Sequence, residues 1–495
     1  MVLLGMPHLI VLSIIFIIWA FTRFFRLNNL PFWIDEAHTY NVVTKSFLDY
    51  WNYVIADRGT MPLGYLIYQF ENWIEPHHLL YRLPSILASL FICILVYHLA
   101  KEFYDKKTAT IALFLSVIHP NLLFHAREAR AYSFFALFFL VWLFLLYRQD
   151  KRSSYDNKKF YYYALLVNSF FIVFIHPYGF LVYVFLLLFA VNINSLKWKN
   201  LKIFFVPLIL GVLMMSYLIA HPSSGTAQYD LATFLKYSLL ALSGINPDIL
   251  LPIFSDKINL AVSLAVLILL LSVGYKGKRF VVAVLAVFFL IFPFLHSYLN
   301  IVFVQRYLVV FIPLLIIQTS YCLTRLFFHL RIFAFATLTA VCSFNAIDVM
   351  LIEKSFLRPF GKHELSQFAS RPNAPVMVSI AHQSLLKMYG VSNKVFTLYP
   401  ESFNEDEVRW VKNIRGKSFS LYGQCKKLER GLKSHPYFFD AYFLFSYLAP
   451  SMCPGISDNA EKITQIDKTN NIDRFIFYKP ITLYKNLNPH LDSNK

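Results

Sequence analysis

Apolar runs of about 17–22 residues recur along this chain, each long enough to cross roughly 30 Å of hydrocarbon, with short basic loops between them. They lie near 7–25, 79–100, 108–124 and 131–147, and on either side of His176-Pro177-Tyr178-Gly179. Further runs lie near 203–220, 258–274, 279–295, 301–322 and 331–350. The pattern predicts an all-α polytopic membrane protein with about 11 transmembrane helices. Three stretches interrupt it. Residues 26–78 are polar and aromatic, 221–257 form a second long polar segment, and from 351 the chain turns to mixed charge with more Asn, Ser and Pro. In this tail, residues 374–380, 394–398 and 474–478 read as strands and 383–389 as a helix. The expected division is therefore a transmembrane domain over 1–350, carrying outer loops 26–78 and 221–257, and a small soluble α/β extracytoplasmic domain over 351–495.

Composition agrees with the pattern. The 495 residues are 57% apolar, 18% aromatic and 15% charged, with a mean hydropathy of +0.52, which excludes an ordinary soluble domain. The net charge of +18 does not point to nucleic acid, because the basic residues sit in short loops between spans. One set of loops carries Lys101, Lys106 and Lys107; Arg148, Lys151, Arg152, Lys158 and Lys159; and Lys197, Lys199 and Lys202. Lys276, Lys278, Arg279, Arg325 and Arg331 complete it. That side is cytoplasmic by the positive-inside rule, so 26–78, 221–257 and the tail face the other compartment. Arg23 and Arg26 run against the rule, and five later loops outweigh them. The first span lacks a basic n-region and a small-residue cleavage site, so it reads as a retained helix. With short hydrophilic termini, this makes a bacterial inner membrane, with the outer loops on the periplasmic side, the expected location.

Cys93, Cys322 and Cys342 fall in apolar spans and read as buried small residues; no Cys or His spacing marks a metal site. Cys425 and Cys453 fall in the tail, where an oxidising compartment would let them pair. The groups able to carry chemistry gather at the outer span ends: Asp35, Glu36, His38, Asp57, Arg58, His119, His125, Arg127, Glu128 and Arg130, then His176, Tyr178, His221, His296, Gln305, Arg306 and Tyr307. Asp35-Glu36 directly follows the first span, and ionisable residues at a bilayer are functional candidates by default. Adjacent residues on a helix point about 100° apart, so the two carboxylates do not share one task. One is able to act as a general base while the other orients a cation or a metal; a salt bridge to Arg58 is the plain structural alternative. Arg306 lies inside span 10 on this reading and suits a phosphate, as do Arg127 and Arg130 if their i,i+3 spacing shares a helical face. Snorkelling, or an ion pair to Glu128, would explain the same arginines without a ligand.

Taken in order, Trp33-Ile34-Asp35-Glu36, Met61-Pro62-Leu63-Gly64-Tyr65-Leu66, Tyr81-Arg82-Leu83-Pro84-Ser85 and Arg127-Glu128-Ala129-Arg130-Ala131-Tyr132-Ser133 are similar to motifs of the GT-C-type glycosyltransferases that use polyprenyl-phosphate sugars. His176-Pro177-Tyr178-Gly179 and Arg306-Tyr307-Leu308 match in place and character. The resemblance covers about residues 1–350 and is nearest to the protein O-mannosyltransferase and aminoarabinose transferase group, glycosyltransferase family 39-like. It implies that Asp35 is the catalytic base with Glu36 as its companion. It also implies that Arg306, Arg130, Arg127 and Arg58 hold the donor phosphate, with His38, His176, Tyr178 and Tyr307 as pocket candidates. The partners it implies are a polyprenyl-phosphate-linked sugar, a glycan, lipid or protein acceptor, and membrane lipid, with no nucleic acid. Some relatives hold a divalent cation between carboxylates and phosphate. Where the family often shows a His and paired prolines, this chain has Arg58-Gly59-Thr60-Met61-Pro62, which leaves sugar and acceptor open. The rival class is a transporter or flippase of lipid-linked or polar solutes; the chain shows no matching halves, and its charges gather at one face rather than at the midplane.

Overall fold

In the computed structural model the described residues are 7–30, 32–56, 61–69, 78–151, 155–176, 178–192, 204–220, 236, 239–240, 256–272 and 305–351. The C-terminal part adds 366, 368–374, 376–377, 386, 391–393, 395–396, 437–440, 460–466 and 481–486. The chain divides into two compact units. The first takes residues 1–27, 58–69 and 79–351; the second takes 28–57, 70–78 and 352–495. The first outer segment, assigned by sequence to the transmembrane domain, therefore groups largely with the tail.

The first unit is helical. Its elements are α1 (His8–Phe24), α4 (Pro62–Leu66), α5 (His78–Phe103), α6 (Lys106–Ile118), α7 (Pro120–Ala126) and α8 (Tyr132–Lys151). It continues with α9 (Tyr155–Ile175), α10 (Gly179–Asn192), α11 (Phe205–Ala220), α12 (Asp256–Ser272), a 3-10 turn (Gln305–Val310), α13 (Ile312–Arg325) and α14 (Phe328–Leu351). Among the described residues three helices are long and apolar enough to cross a membrane, within α5, α8 and α14; α6 and α7 make a fourth span if their 57° bend counts as one. The predicted span near 279–295 lies outside the described residues.

Two readings of the sequence change here. The run near 108–124 is not one straight helix, because Pro120 removes a backbone donor and starts α7 afresh after His119. Arg306 is not inside the span 10 helix. Pro313 sits in the first turn of α13, so the helix proper begins at Ile312, and Arg306 belongs to the 3-10 turn ahead of it.

Helices in hydrocarbon gain little from the hydrophobic effect and are held by packing and by polar bonds between them. Trp142 Nε1 on α8 donates to Ser169 Oγ on α9 at 3.1 Å, and Asn168 Nδ2 donates to Phe138 O at 2.7 Å. Trp19 Nε1 on α1 donates to Ser89 Oγ on α5 at 3.2 Å. Helix α13 is buried from Ile312 to Leu323 and packs against α6, α12 and α14. Near its C-terminal end Tyr104 stacks on Tyr321, ring centres 4.0 Å apart, and donates to Gln318 Oε1 at 2.6 Å.

The second unit holds α2 (Ile34–Val43), α3 (Phe47–Ala56) and five strands: β1 (Val376–Met377), β2 (Val395–Phe396), β3 (Tyr437–Asp440), β4 (Ala460–Ile466) and β5 (Ile481–Asn486). They form one mixed sheet in the order β2-β1-β3-β5-β4. β1 runs parallel to β2 and β3, while β5 is antiparallel to β3 and β4. β1 and β2 fall within the strands read at 374–380 and 394–398; the strand read at 474–478 lies outside the described residues.

Candidate active site

The first unit builds its polar centre from two turns. Where α1 ends, the chain passes through Arg26 at φ 53°, the left-handed region that costs an L-residue about 1–2 kcal/mol. Buried arginines hold the carbonyls on both sides of it. Arg127 Nη2 donates to Phe25 O at 2.8 Å, and Arg82 Nη1 donates to Leu27 O at 3.3 Å. A third buried arginine, Arg23, donates from Nη1 to Thr22 Oγ1 at 2.8 Å and to Val117 O. Val117 lies next to the α6–α7 break, where a backbone carbonyl loses its helical partner.

The second turn is Arg127-Glu128-Ala129-Arg130-Ala131, between α7 and α8, and it is not helical. The shared face expected for Arg127 and Arg130 is therefore absent. Side-chain hydroxyls take the place of helical hydrogen bonds. Tyr68 Oη donates to Arg130 O at 2.9 Å, Ser85 Oγ reaches the same oxygen at 3.3 Å, and Ser133 Oγ donates to His125 O at 2.9 Å. Tyr68 and Ser85 also bond each other at 2.6 Å. The segments Met61–Leu66 and Tyr81–Ser85, singled out in the sequence, thus lead into braces for these two turns.

Held this way, the turn delivers a shell of polar and aromatic groups around Tyr132 at the start of α8. The guanidiniums of Arg130 and Arg306 stand 5.9 and 5.6 Å from the centre of its ring. The rings of His125, His176 and Tyr307 lie 4.9, 5.8 and 6.2 Å from it. Tyr307 also meets His176 at 4.4 Å and Tyr178 at 5.0 Å. Phe135 stacks on His176 at 4.9 Å. Two cations beside one aromatic ring repel each other, and an anion that met both would offset that cost.

His176 sits in the turn after α9. Tyr178 N–H donates to its Nδ1 at 3.2 Å, so in the neutral ring the proton is on Nε2, which is buried with no partner among the described residues. Burial, then the Arg130 and Arg306 cations, hold this imidazole well below its usual 6.5. Burial and the neighbouring Tyr307 push the Tyr178 hydroxyl well above 10. At neutral pH both are uncharged hydrogen-bonding groups. Gly179 allows this turn, because a Cβ there would lie 1.8 Å from Ile172 O of α9.

The carboxylates belong to the second unit. Glu36 is fully buried, and its Oε2 accepts from Trp33 N–H at 3.0 Å, closing the N-terminus of α2. Asp35, half-buried beside it, and His38, one turn further, remain the candidates for chemistry on this helix. Glu36 is engaged with the backbone through Oε2, and among the described residues no three His, Cys, Asp or Glu side chains converge.

Of the residues expected to bind phosphate, Arg130 and Arg306 both lie by the Tyr132 ring, Arg127 gives its Nη2 to the α1 exit, and Arg58 lies outside the described residues. Asp57, His221, His296, Cys425 and Cys453 also lie outside them. Of the pocket candidates, His176, Tyr178 and Tyr307 join the shell. Glu128 takes His125 as its partner at 2.5 Å. The central role of Tyr132 was not read from the sequence; its one signal was its place at the end of the Arg-Glu-x-Arg-x-Tyr segment.

No family model and no curated protein matches this chain. Solved structures do. ArnT from Cupriavidus metallidurans bound to undecaprenyl phosphate is similar over 96% of this chain and 97% of its own, at 10% identity and a TM-score of 0.60. The same protein in the apo state gives 0.58 at 11% identity, over 97% of this chain and 98% of its own. The Archaeoglobus fulgidus oligosaccharyltransferase in complex with Zn and sulfate gives 0.53 at 13% identity, over 95% of this chain and 73% of its own. These are GT-C glycosyltransferases, and the likeness shows that this chain has their fold.

Proposed function

We propose that this protein is an integral-membrane glycosyltransferase. It moves a sugar from a polyprenyl-phosphate donor to a glycan, lipid or protein acceptor on the outer face of the membrane. The observation that carries the reading is the pair of guanidiniums on the Tyr132 ring, inside a fold shared with a protein whose structure contains undecaprenyl phosphate. Arg130 and Arg306 are placed to meet a phosphate and to stabilise the charge that grows on its oxygen as the glycosidic bond breaks. The neutral His176 Nε2–H adds a donor that brings no further positive charge. A phosphate is already a good leaving group, so the remaining demand is on the acceptor. Asp35 takes the acceptor proton or aligns its nucleophile, and a single displacement inverts the anomeric carbon. The acceptor-side chemistry rests on Asp35 alone, since Glu36 is committed to its helix.

The test is sugar transfer in membranes from a panel of polyprenyl-phosphate donors. Asp35→Asn should abolish transfer at an unchanged protein level, and Arg306→Ala or Arg130→Ala should lower kcat about 100-fold. Wild-type transfer that survives Asp35→Asn rules Asp35 out as the base. A wild type that moves a lipid-linked solute across vesicles and transfers no sugar favours the transporter reading.

A further inference from the structure

One buried pair near the Tyr132 shell has no part in the chemistry above. His125, on α7, is 1% exposed and donates from Nδ1 to Glu128 Oε1 at 2.5 Å; Glu128 is fully buried. The far nitrogen, Nε2, is buried with no hydrogen-bond partner among the described residues. A histidine whose Nδ1–H is fixed by a carboxylate presents Nε2, in a set orientation, to a third group. Leaving that nitrogen buried and unmet costs free energy, which a ligand atom would recover. The backbone on both sides is fixed too: Ser133 Oγ takes His125 O, and the Tyr68 and Ser85 hydroxyls take Arg130 O.

The surroundings select the ligand. The His125 ring lies 4.9 Å from Tyr132, the same ring that carries the Arg130 and Arg306 guanidiniums. Donors dominate this shell, so the missing partner is an oxygen, and two guanidiniums favour an anionic one. We propose that His125, oriented by Glu128, is a third contact for the phosphate of the lipid ligand, beside Arg130 and Arg306. With Nδ1–H given to Glu128, Nε2 meets a phosphate oxygen only through a second proton, which the monoester phosphate of the ligand brings on binding. The ring then bridges the Glu128 carboxylate and that oxygen. His125 touches the ligand; Glu128 is a positioning residue acting through it. This inference rests on the lipid-phosphate reading above.

The experiment measures binding of undecaprenyl phosphate and of undecaprenol to the full chain in nanodiscs. His125→Ala should weaken undecaprenyl phosphate roughly 10- to 100-fold, the loss expected for a charge-assisted hydrogen bond, and leave undecaprenol unchanged. His125→Gln, which keeps a neutral donor and most of the volume, should recover part of that loss. Glu128→Ala should weaken binding on its own but change it less than about twofold in the His125→Ala background, since a residue acting through another adds nothing once the other is gone. Inorganic phosphate as competitor separates a site for phosphate alone, which it empties, from one that needs the lipid; the His125 contact stands in either case. Equal losses for undecaprenol, no loss for undecaprenyl phosphate, or a full extra loss from Glu128→Ala would each overturn the proposal. A wild type that binds undecaprenyl phosphate no more tightly than undecaprenol fails the lipid-phosphate reading itself. A wild type that discriminates between them, with His125→Ala discriminating equally, fails only this inference.

Discussion

At the scale of single residues, the first unit gives the buried Arg23, Arg82 and Arg127 to backbone carbonyls. Arg82 and Arg127 hold the oxygens on either side of Arg26, which sits at φ 53°. Glycine meets no Cβ penalty at that angle, so Arg26→Gly should raise thermal stability by about 1 kcal/mol, or leave it unchanged where chain entropy offsets the gain. Arg26→Val should lower it, and a melting series of the three proteins checks both. Of the sequence candidates, Arg306 and Arg130 were legible as cations at span ends, though not that both would stand beside the Tyr132 ring. Arg127 was not separable from them, since its role depends on a carbonyl of residue 25, far away in sequence. His176 gives a pH prediction. Its folded value lies below 6.5 while the unfolded chain titrates near 6.5, so on acidification the unfolded state takes up the proton first. Its contribution to stability is full above about pH 6.5 and is lost as pH falls below it. Wild type should therefore lose melting temperature between about pH 7 and 5 more steeply than His176→Gln.

At the scale of elements, the decisive feature is the break between α6 and α7, 57° at His119-Pro120. It turns α7 so that the chain leaves it through the 127–131 turn and enters α8 at Tyr132. Arg23 takes Val117 O beside the break. Arg23→Met should destabilise the protein by about 1–3 kcal/mol, because a buried carbonyl then loses its donor, and a denaturation midpoint in detergent reads this out. The turn after α9 is a second such device. Gly179→Ala drives a methyl group into Ile172 O, so it should displace His176 and Tyr178. On the proposed function, sugar transfer would fall with it while expression of the protein persists. The helices themselves were legible from apolar runs. The break, the 3-10 turn before α13 and the non-helical 127–131 turn were not, since prolines and side-chain hydroxyls decide them over a few residues.

At the scale of the whole molecule, the chain divides differently from its hydropathy. Residues 28–57, with α2, α3 and the Asp35-Glu36 pair, belong to the same compact unit as residues 352–495. Deleting 352–495 should therefore leave 28–57 more open to protease than in the full chain, and limited proteolysis followed by mass spectrometry tests it. The sequence by itself determined the helical membrane character, the candidate carboxylates and cations and, through ordered motifs, the likeness to GT-C enzymes whose fold the structure shares. It could do so because hydrocarbon imposes long apolar runs and makes each charge near it costly enough to stand out. Only the tertiary structure decided which arginines meet on Tyr132, which hold carbonyls, and that Glu36 closes a helix while Glu128 orients His125. Those assignments are hydrogen bonds and ring contacts, several between residues far apart in sequence, and they are fixed by the packing of whole helices rather than by local pattern.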